Sequence, residues 1–261
     1  PRTMPRQFLE MYDAASVRLP ENFAPEHLFN TGALRIRDEL LAAFPREPDE
    51  IRRHIAEYYA MVSHLDDGLG RLTGVLHDLQ LLDETIIVFA GDNGLALGQH
   101  GLMGKQNLYD HSVRVPLIFA GPGINAEVKD DDLVYLLDIF PTLCELADIP
   151  VPATVEGHSL VSALSEIQLD VDPEVAEQVG PTIAKRSREF LYLAYHGTIR
   201  GLTDGYHKLI EYAGGETQLF DLIADPCETE NIAAGNRSKV ATMRTRMVEL
   251  RDVWQDRDHP L

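Results

Sequence analysis

A layered α/β domain followed by a small antiparallel sheet and a closing helix is the fold class this sequence predicts, and three observations predict it. Residues 85–90 and 115–120 form two apolar runs, rich in β-branched residues and without clear alternation. That pattern suits central strands covered on both faces. An apolar stripe at three- and four-residue steps runs from Ile51 to Leu79 and marks a long helix ahead of them. Beyond residue 190 the texture changes to short strand-like segments joined by glycine-rich turns, as in an antiparallel meander.

In chain order, residues 1–46 read as an irregular connector. Pro1, Pro5, Pro20, Pro25 and Pro45 interrupt any long helix, and Phe8, Leu9, Met11 and Tyr12 form only a short apolar patch. The long helix opens at Pro48, with Asp49 and Glu50 at its positive end. Ile51, Ile55, Tyr58, Val62, Leu65, Leu69, Leu72, Leu76 and Leu79 form one apolar stripe expected to face inward, with His54, His64 and His77 at the surface or satisfied locally. After the two apolar runs, Asp138 is placed to cap a helix with Pro141 in its first turn and Leu143, Leu146 and Ala147 inward. Residues 165–180 are acidic and poor in large apolar side chains, and read as a linker. Strands are expected over 190–195, 198–202, 208–212 and 218–221, then a helix carrying Val240, Met243, Met247, Leu250 and Trp254. The predicted division is an α/β domain over 1–180 and a sheet-and-helix subdomain over 181–261.

Length and composition, 261 residues with 44% hydrophobic and 25% charged, are those of an ordinary globular chain able to bury a large core. A net charge of −19 repels nucleic acid and anionic membranes, and both are set aside as partners. An anionic substrate would need a local counter-charge from a metal or a lysine. No apolar run approaches the ~20 residues of a bilayer span. Cys144 and Cys227 share no metal-ligand spacing, and Cys144, in an apolar run, reads as a core residue.

The chemistry concentrates between the two apolar runs. Ligands of open α/β sheets gather where strands end, and Asp92-Asn93-Gly94 directly follows the first run. Its carboxylate and amide oxygens form half of a hard-cation site; a plain Asn-Gly turn competes with that reading. Lys105, between Gly104 and Gln106, offers a compact ammonium for sulfate or phosphate oxygens. A solvated surface lysine is the competing account.

The segment AGDNGLALGQHGLMGKQNLYDHSVRVPLIFAGPGI resembles the type I sulfatases of the alkaline-phosphatase-like superfamily. YYAMVSHLDDGLGRLTGVL is similar to that family's crossover helix, LVYLLDIFPTLCELADIPVPATVEGHSL to the segment that follows, and DGYHKLIEY and QLFDLIADPCETENIA to its C-terminal subdomain.

The resemblance implies an α/β/α sandwich with a small antiparallel sheet and helix at its end. It implies that Asp92 and Asn93 ligate a divalent cation, usually Ca²⁺ in this family, with Mg²⁺ the open alternative for this chain. Lys105 would contact sulfate or leaving-group oxygens. His100, in the Gly-x-His element, would lie beside the site or face the substrate, while His111 has no fixed role and reads as a loop residue. The family's nucleophile is a formylglycine from a Cys/Ser-x-Pro-x-Arg motif, and this sequence holds no such motif. The chain therefore reads as the C-terminal half of a sulfatase, expected to lack turnover by itself, with the formylglycine supplied by an N-terminal part. The implied activity is hydrolysis of sulfate monoesters on a small molecule or carbohydrate. The alternatives are a phosphodiesterase or phosphonate hydrolase of the same superfamily, or a non-catalytic cation- or glycan-binding remnant.

Overall fold

The structure is a computed structural model and describes residues 3–164 and 188–257. The elements run α1 (Arg6–Leu9), α2 (Pro48–Asp78), β1 (Ile87–Ala90), α3 (Asp110–Val113), β2 (Leu117–Ala120), α4 (Ile139–Leu146), α5 (Val161–Leu164), β3 (Leu191–Tyr195), β4 (Ile199–Thr203), β5 (His207–Tyr212), β6 (Thr217–Asp221) and α6 (Arg237–Val253). The acidic stretch read as a linker, 165–180, lies outside the described residues. No helix among the described residues is long and apolar enough to cross a membrane.

The chain divides into two compact units, each discontinuous in sequence. The first gathers Pro1–Leu82, Asn93–Val115 and Tyr192–Leu261. Its centre is the four-stranded sheet, ordered β3-β4-β5-β6. Register pairs Ile199 with Tyr212 and Gly201 with Ile210, and on the next strand Lys208 with Phe220 and Ile210 with Gln218. Because side chains alternate across a strand, these residues share one face. There Ile199, Ile210, Tyr212 and Phe220 form a buried core with Ala96, Leu102, Leu108 and Tyr109. The opposite face carries Leu202, Leu209 and Leu219, all fully buried, and α6 packs on β4 and β5. The helical period set by Val240, Met243 and Met247 delivers those three buried side chains to one side of α6. The ion pair of Arg244 with Glu211 joins the helix to β5.

α2 begins at Pro48 with Asp49 and Glu50 in its first turn, as its sequence predicts. Its apolar stripe is buried only at the start. Ile51 and Ile55 pack with Ala42, Leu97 and Met103, whereas Val62, Leu65, Leu72 and Leu79 are exposed. The inward expectation for the later turns is corrected: a helical period sets which side chains share a face, not what lies against it.

The second unit comprises Asp83–Asp92 and Pro116–Leu191. β1 and β2 pair antiparallel, from Ile87↔Ala120 to Ala90↔Leu117, as a two-stranded sheet. They are not central strands covered on both faces, since Ala90, Ile118 and Ala120 are exposed. Asp138 is fully buried in this unit. It makes no side-chain cap on α4; instead its carboxylate accepts the N–H groups of Tyr135 and His158, each at 2.8 Å. Both terminal nitrogens of Arg188 reach it at 2.6 Å. A buried carboxylate needs such partners, because an unpaired one would be strongly destabilising. Cys144 is buried, as the apolar run around it predicts.

Candidate active-site loop

Residues 93–115 cross the core face of the four-stranded sheet, and two glycines fix their path. The Gly94 N–H donates to the Ser112 carbonyl at 3.0 Å. A Cβ at Gly94 would sit 1.9 Å from the carbonyl oxygen of His111, so only glycine lets the turn approach α3. Gly101 adopts φ +75°, and a Cβ there would lie 2.2 Å from the carbonyl carbon of Glu26. Between these points the loop doubles back, with Ala96 N–H donating to Gly104 O at 3.0 Å and Gly98 N–H to Leu102 O at 2.7 Å.

The sheet grips the far end of the loop. The Tyr109 hydroxyl donates to Gln218 Oε1 at 2.9 Å, and burial pushes that phenol up to about 12. The Asp110 N–H donates to Glu228 Oε2 at 2.7 Å. Lys208, on β5 and 1% exposed, donates to Glu228 Oε1 at 2.8 Å and also pairs with Asp110. Burial raises the Glu228 carboxyl above its ordinary value, against the opposing pull of Lys208.

Three histidines gather around Tyr109. The His100 ring stacks on it with centroids 4.0 Å apart and planes 12° apart; His111 lies 5.6 Å and His27 6.0 Å from the same ring. Asn22 Nδ2 donates to the Cys227 carbonyl at 2.8 Å and lies 3.1 Å from His100 Nε2. Because a carbonyl can only accept, the amide nitrogen is assigned to that side, which makes His100 Nε2 an acceptor. The ring is thereby held neutral, and burial lowers its pKa to about 4. His27 Nδ1 donates to the His100 carbonyl at 2.9 Å. Burial lowers the pKa of His27 and lowers that of His111 well below the ordinary value. Both ring nitrogens of His111 are buried without a hydrogen-bond partner among the described residues.

Lys105 emerges from the loop exposed. Beside it Asp38 accepts from Gln106 Nε2 at 2.7 Å and Arg37 Nε at 2.9 Å. Those two bonds hold its carboxyl below the usual range, with a smaller contribution from the Lys105 charge. Asp92, exposed, is the last residue of one segment of the second unit, and Asn93 the first of the loop.

Asp92 and Asn93 offer oxygen donors alone, which suits a hard cation, but Ca²⁺ takes about six to eight oxygens. Among the described residues no group of three or more His, Cys, Asp and Glu could hold a metal. The two residues fit part of a cation site and cannot complete one. Sequence reading picked out Asp92, Asn93 and Lys105 from their residue types in the stretch after the first apolar run, and His100 from the family resemblance. It missed His27, Tyr109, Lys208 and Glu228, and His111 is a half-buried residue of α3 whose two ring nitrogens are buried, not a loop residue.

Two family models match: Sulfatase over residues 4–149 and "N-sulphoglucosamine sulphohydrolase, C-terminal" over 98–253. "Arylsulfatase K" of Xenopus laevis is 34% identical over 212 residues, covering 80% of this chain and 39% of that protein. "Choline-sulfatase" of Rhizobium meliloti is 33% identical over 195 residues, covering 74% and 35%. The chain thus spans between a third and two-fifths of those two relatives. A solved structure in complex with its substrate D-glucosamine-2-N,6-O-disulfate superposes with TM-score 0.64 at 27% identity, covering 81% of this chain and 43% of that one. The phosphonate monoester hydrolase of Agrobacterium radiobacter superposes with TM-score 0.77 at 22% identity, over 96% and 54%, a likeness of fold alone. The alkaline-phosphatase-like fold class is the one expected from the sequence.

Proposed function

This chain belongs to the sulfatase family, and from that premise we propose that it carries the lysine-bearing loop of an enzyme that hydrolyses sulfate monoesters. The observation that carries the reading is the exposed Lys105 on a loop locked to the sheet, in a protein of net charge −19. A molecule of that charge needs a fixed local cation to receive an oxyanion. The relative with a bound disulfated glucosamine supports a sulfated carbohydrate as the substrate class.

Charge on a sulfate monoester rests on the non-bridging oxygens and builds on the bridging oxygen as the S–O bond breaks. Lys105 would donate to one of these oxygens, and an aimed donor of this kind is worth about a hundredfold or more in rate. Asp92 and Asn93 would contribute oxygen ligands to a divalent cation, Ca²⁺ or Mg²⁺. When present, that cation supplies further positive charge, and a formylglycine from another part of the protein supplies the attacking hydroxyl. His100 would act as an uncharged packing and positioning group at neutral pH, since burial keeps its pKa near 4 and Asn22 occupies Nε2.

The test is Lys105→Ala in the full-length protein, assayed on 4-nitrophenyl sulfate and on a glucosamine 6-sulfate. Turnover is expected to fall by about a hundredfold or more on both. An unchanged rate would remove Lys105 from the chemistry, and preference for a phosphonate monoester over both sulfates would overturn the substrate class.

A further inference from the structure

We infer that Glu39, held by Arg46, is a positioning residue that sets the aim of Lys105. Glu39 lies in a short 3-10 turn, Glu39–Leu41, sixty-four and sixty-five positions before the loop residues it binds. Its two carboxylate oxygens take the backbone N–H groups of consecutive loop residues: Oε2 accepts from Met103 at 2.9 Å and Oε1 from Gly104 at 2.8 Å. Arg46 Nη2 completes the carboxylate at 2.6 Å, with side-chain exposures of 0% and 3% for the pair.

Arg46 is itself fixed on every side. Nε donates to Gly101 O at 3.1 Å, and Nη1 to Ala42 O at 2.7 Å and Glu39 O at 2.8 Å. The guanidinium lies 3.7 Å from the centre of the Phe44 ring.

On the other side of Lys105, Gln106 closes the grip. Its Oε1 accepts the Lys105 N–H at 2.9 Å while its Nε2 donates to Asp38, the neighbour of Glu39. The backbone is therefore held at Met103 and Gly104 by Glu39 and at the Lys105 N–H by the Gln106 side chain, which Asp38 in turn holds, leaving the lysine side chain as the group that projects. A Cβ at Gly104 would lie 2.9 Å from Glu39 Oε1, so the carboxylate and loop meet without room for a side chain. Backbone amides bonded to a buried carboxylate are stronger and shorter than neutral pairs. A lysine on a long flexible stem profits from such a base, because a misplacement of about 1 Å in a reacting group can cost about a hundredfold in rate.

The inference rests on the sulfatase reading for its consequence, but its geometry can be tested separately. Glu39→Gln keeps the shape and leaves one loop N–H facing an amide NH₂. Gln106→Met removes the second grip at a partly exposed position. The chain has five lysines, so reductive ¹³C-methylation gives a sparse NMR spectrum in which Lys105→Arg assigns the signal. The position of the Lys105 signal is expected to differ between the parent and either variant. If Glu39→Gln loses the fold, Gln106→Met carries the measurement; a Lys105 signal unmoved by it overturns the inference.

Kinetics in the full-length protein give the second arm. Glu39→Gln is expected to lower kcat about tenfold to a hundredfold in the parent, and less than about twofold when Lys105→Ala is already present. Equal losses in both backgrounds would mean a general structural role and sink the proposal. Should Lys105→Ala leave the rate untouched while the NMR signal responds, the sulfatase role of Lys105 fails and the positioning stands.

Discussion

Acidification should destabilise this protein through the histidines around Tyr109, and His100 sets the scale. Its pKa is about 4 in the folded chain because burial penalises the imidazolium, against about 6.5 when unfolded. As pH falls below 6.5, the unfolded chain takes up a proton that the folded chain refuses. Folding stability from this residue is complete above pH 6.5 and is lost between 6.5 and 4. The full difference is about 3 kcal/mol, and about 2 kcal/mol of it is gone by pH 5. His27 and His111, also lowered by burial, act in the same direction. The carboxylates of Asp38, Asp204 and Asp221, lowered chiefly or in part by hydrogen bonds, lose their contribution in a more acidic window, below about pH 4. Urea unfolding at pH 7.5, 6.0 and 5.0 measures the slope, and His100→Gln isolates the residue: the amide can still accept from Asn22 but does not titrate. The variant should lose about 2 kcal/mol less than the parent between pH 7.5 and 5. Background effects of the −19 charge cancel in that comparison. Identical pH slopes for parent and variant would refute the assignment of a neutral, buried His100.

Gly94→Ala would drive a Cβ to within 1.9 Å of the His111 carbonyl oxygen, so the Asn93 turn must lift from α3. A cost of about 2 kcal/mol or more is expected, read as a melting-point drop of roughly 4 °C or more; an unchanged melting point would contradict the close approach. Lys208→Met strips the cation from between Asp110 and Glu228. It should cost about 3–5 kcal/mol at pH 7, and less at pH 5, where Glu228, already raised by burial, can take a proton. Denaturation at the two pH values checks both size and direction.

Much of the first unit was legible from the order of residues alone. Strands expected over 190–195, 198–202, 208–212 and 218–221 appear as β3 to β6 within about two residues, because short strand-like runs and the glycine-rich turns between them are local signals. The closing helix was readable for the same reason: Val240, Met243 and Met247 keep the helical step, and all three are buried. Asp92, Asn93 and Lys105 were legible because residue types that suit a cation or an oxyanion follow directly on an apolar run, and His100 because of the family's Gly-x-His element.

Tertiary structure decided what those local signals cannot carry. The antiparallel pairing of β1 with β2, and the exposure of the later turns of α2, depend on what lies against each surface, and a period of two or 3.6 is silent on that. The family resemblance puts His100 beside the site or facing the substrate, yet its neutrality comes from burial, with Asn22, seventy-eight positions earlier, at Nε2 and Tyr109 stacked on the ring. The grip of Glu39 on Met103 and Gly104 spans sixty-four and sixty-five positions. Backbone propensity acts over a few neighbours, whereas burial, desolvation and a shared carboxylate act through space. The chain order therefore determined which groups this loop carries, and only folding decided which are neutral, which are held and which reach solvent.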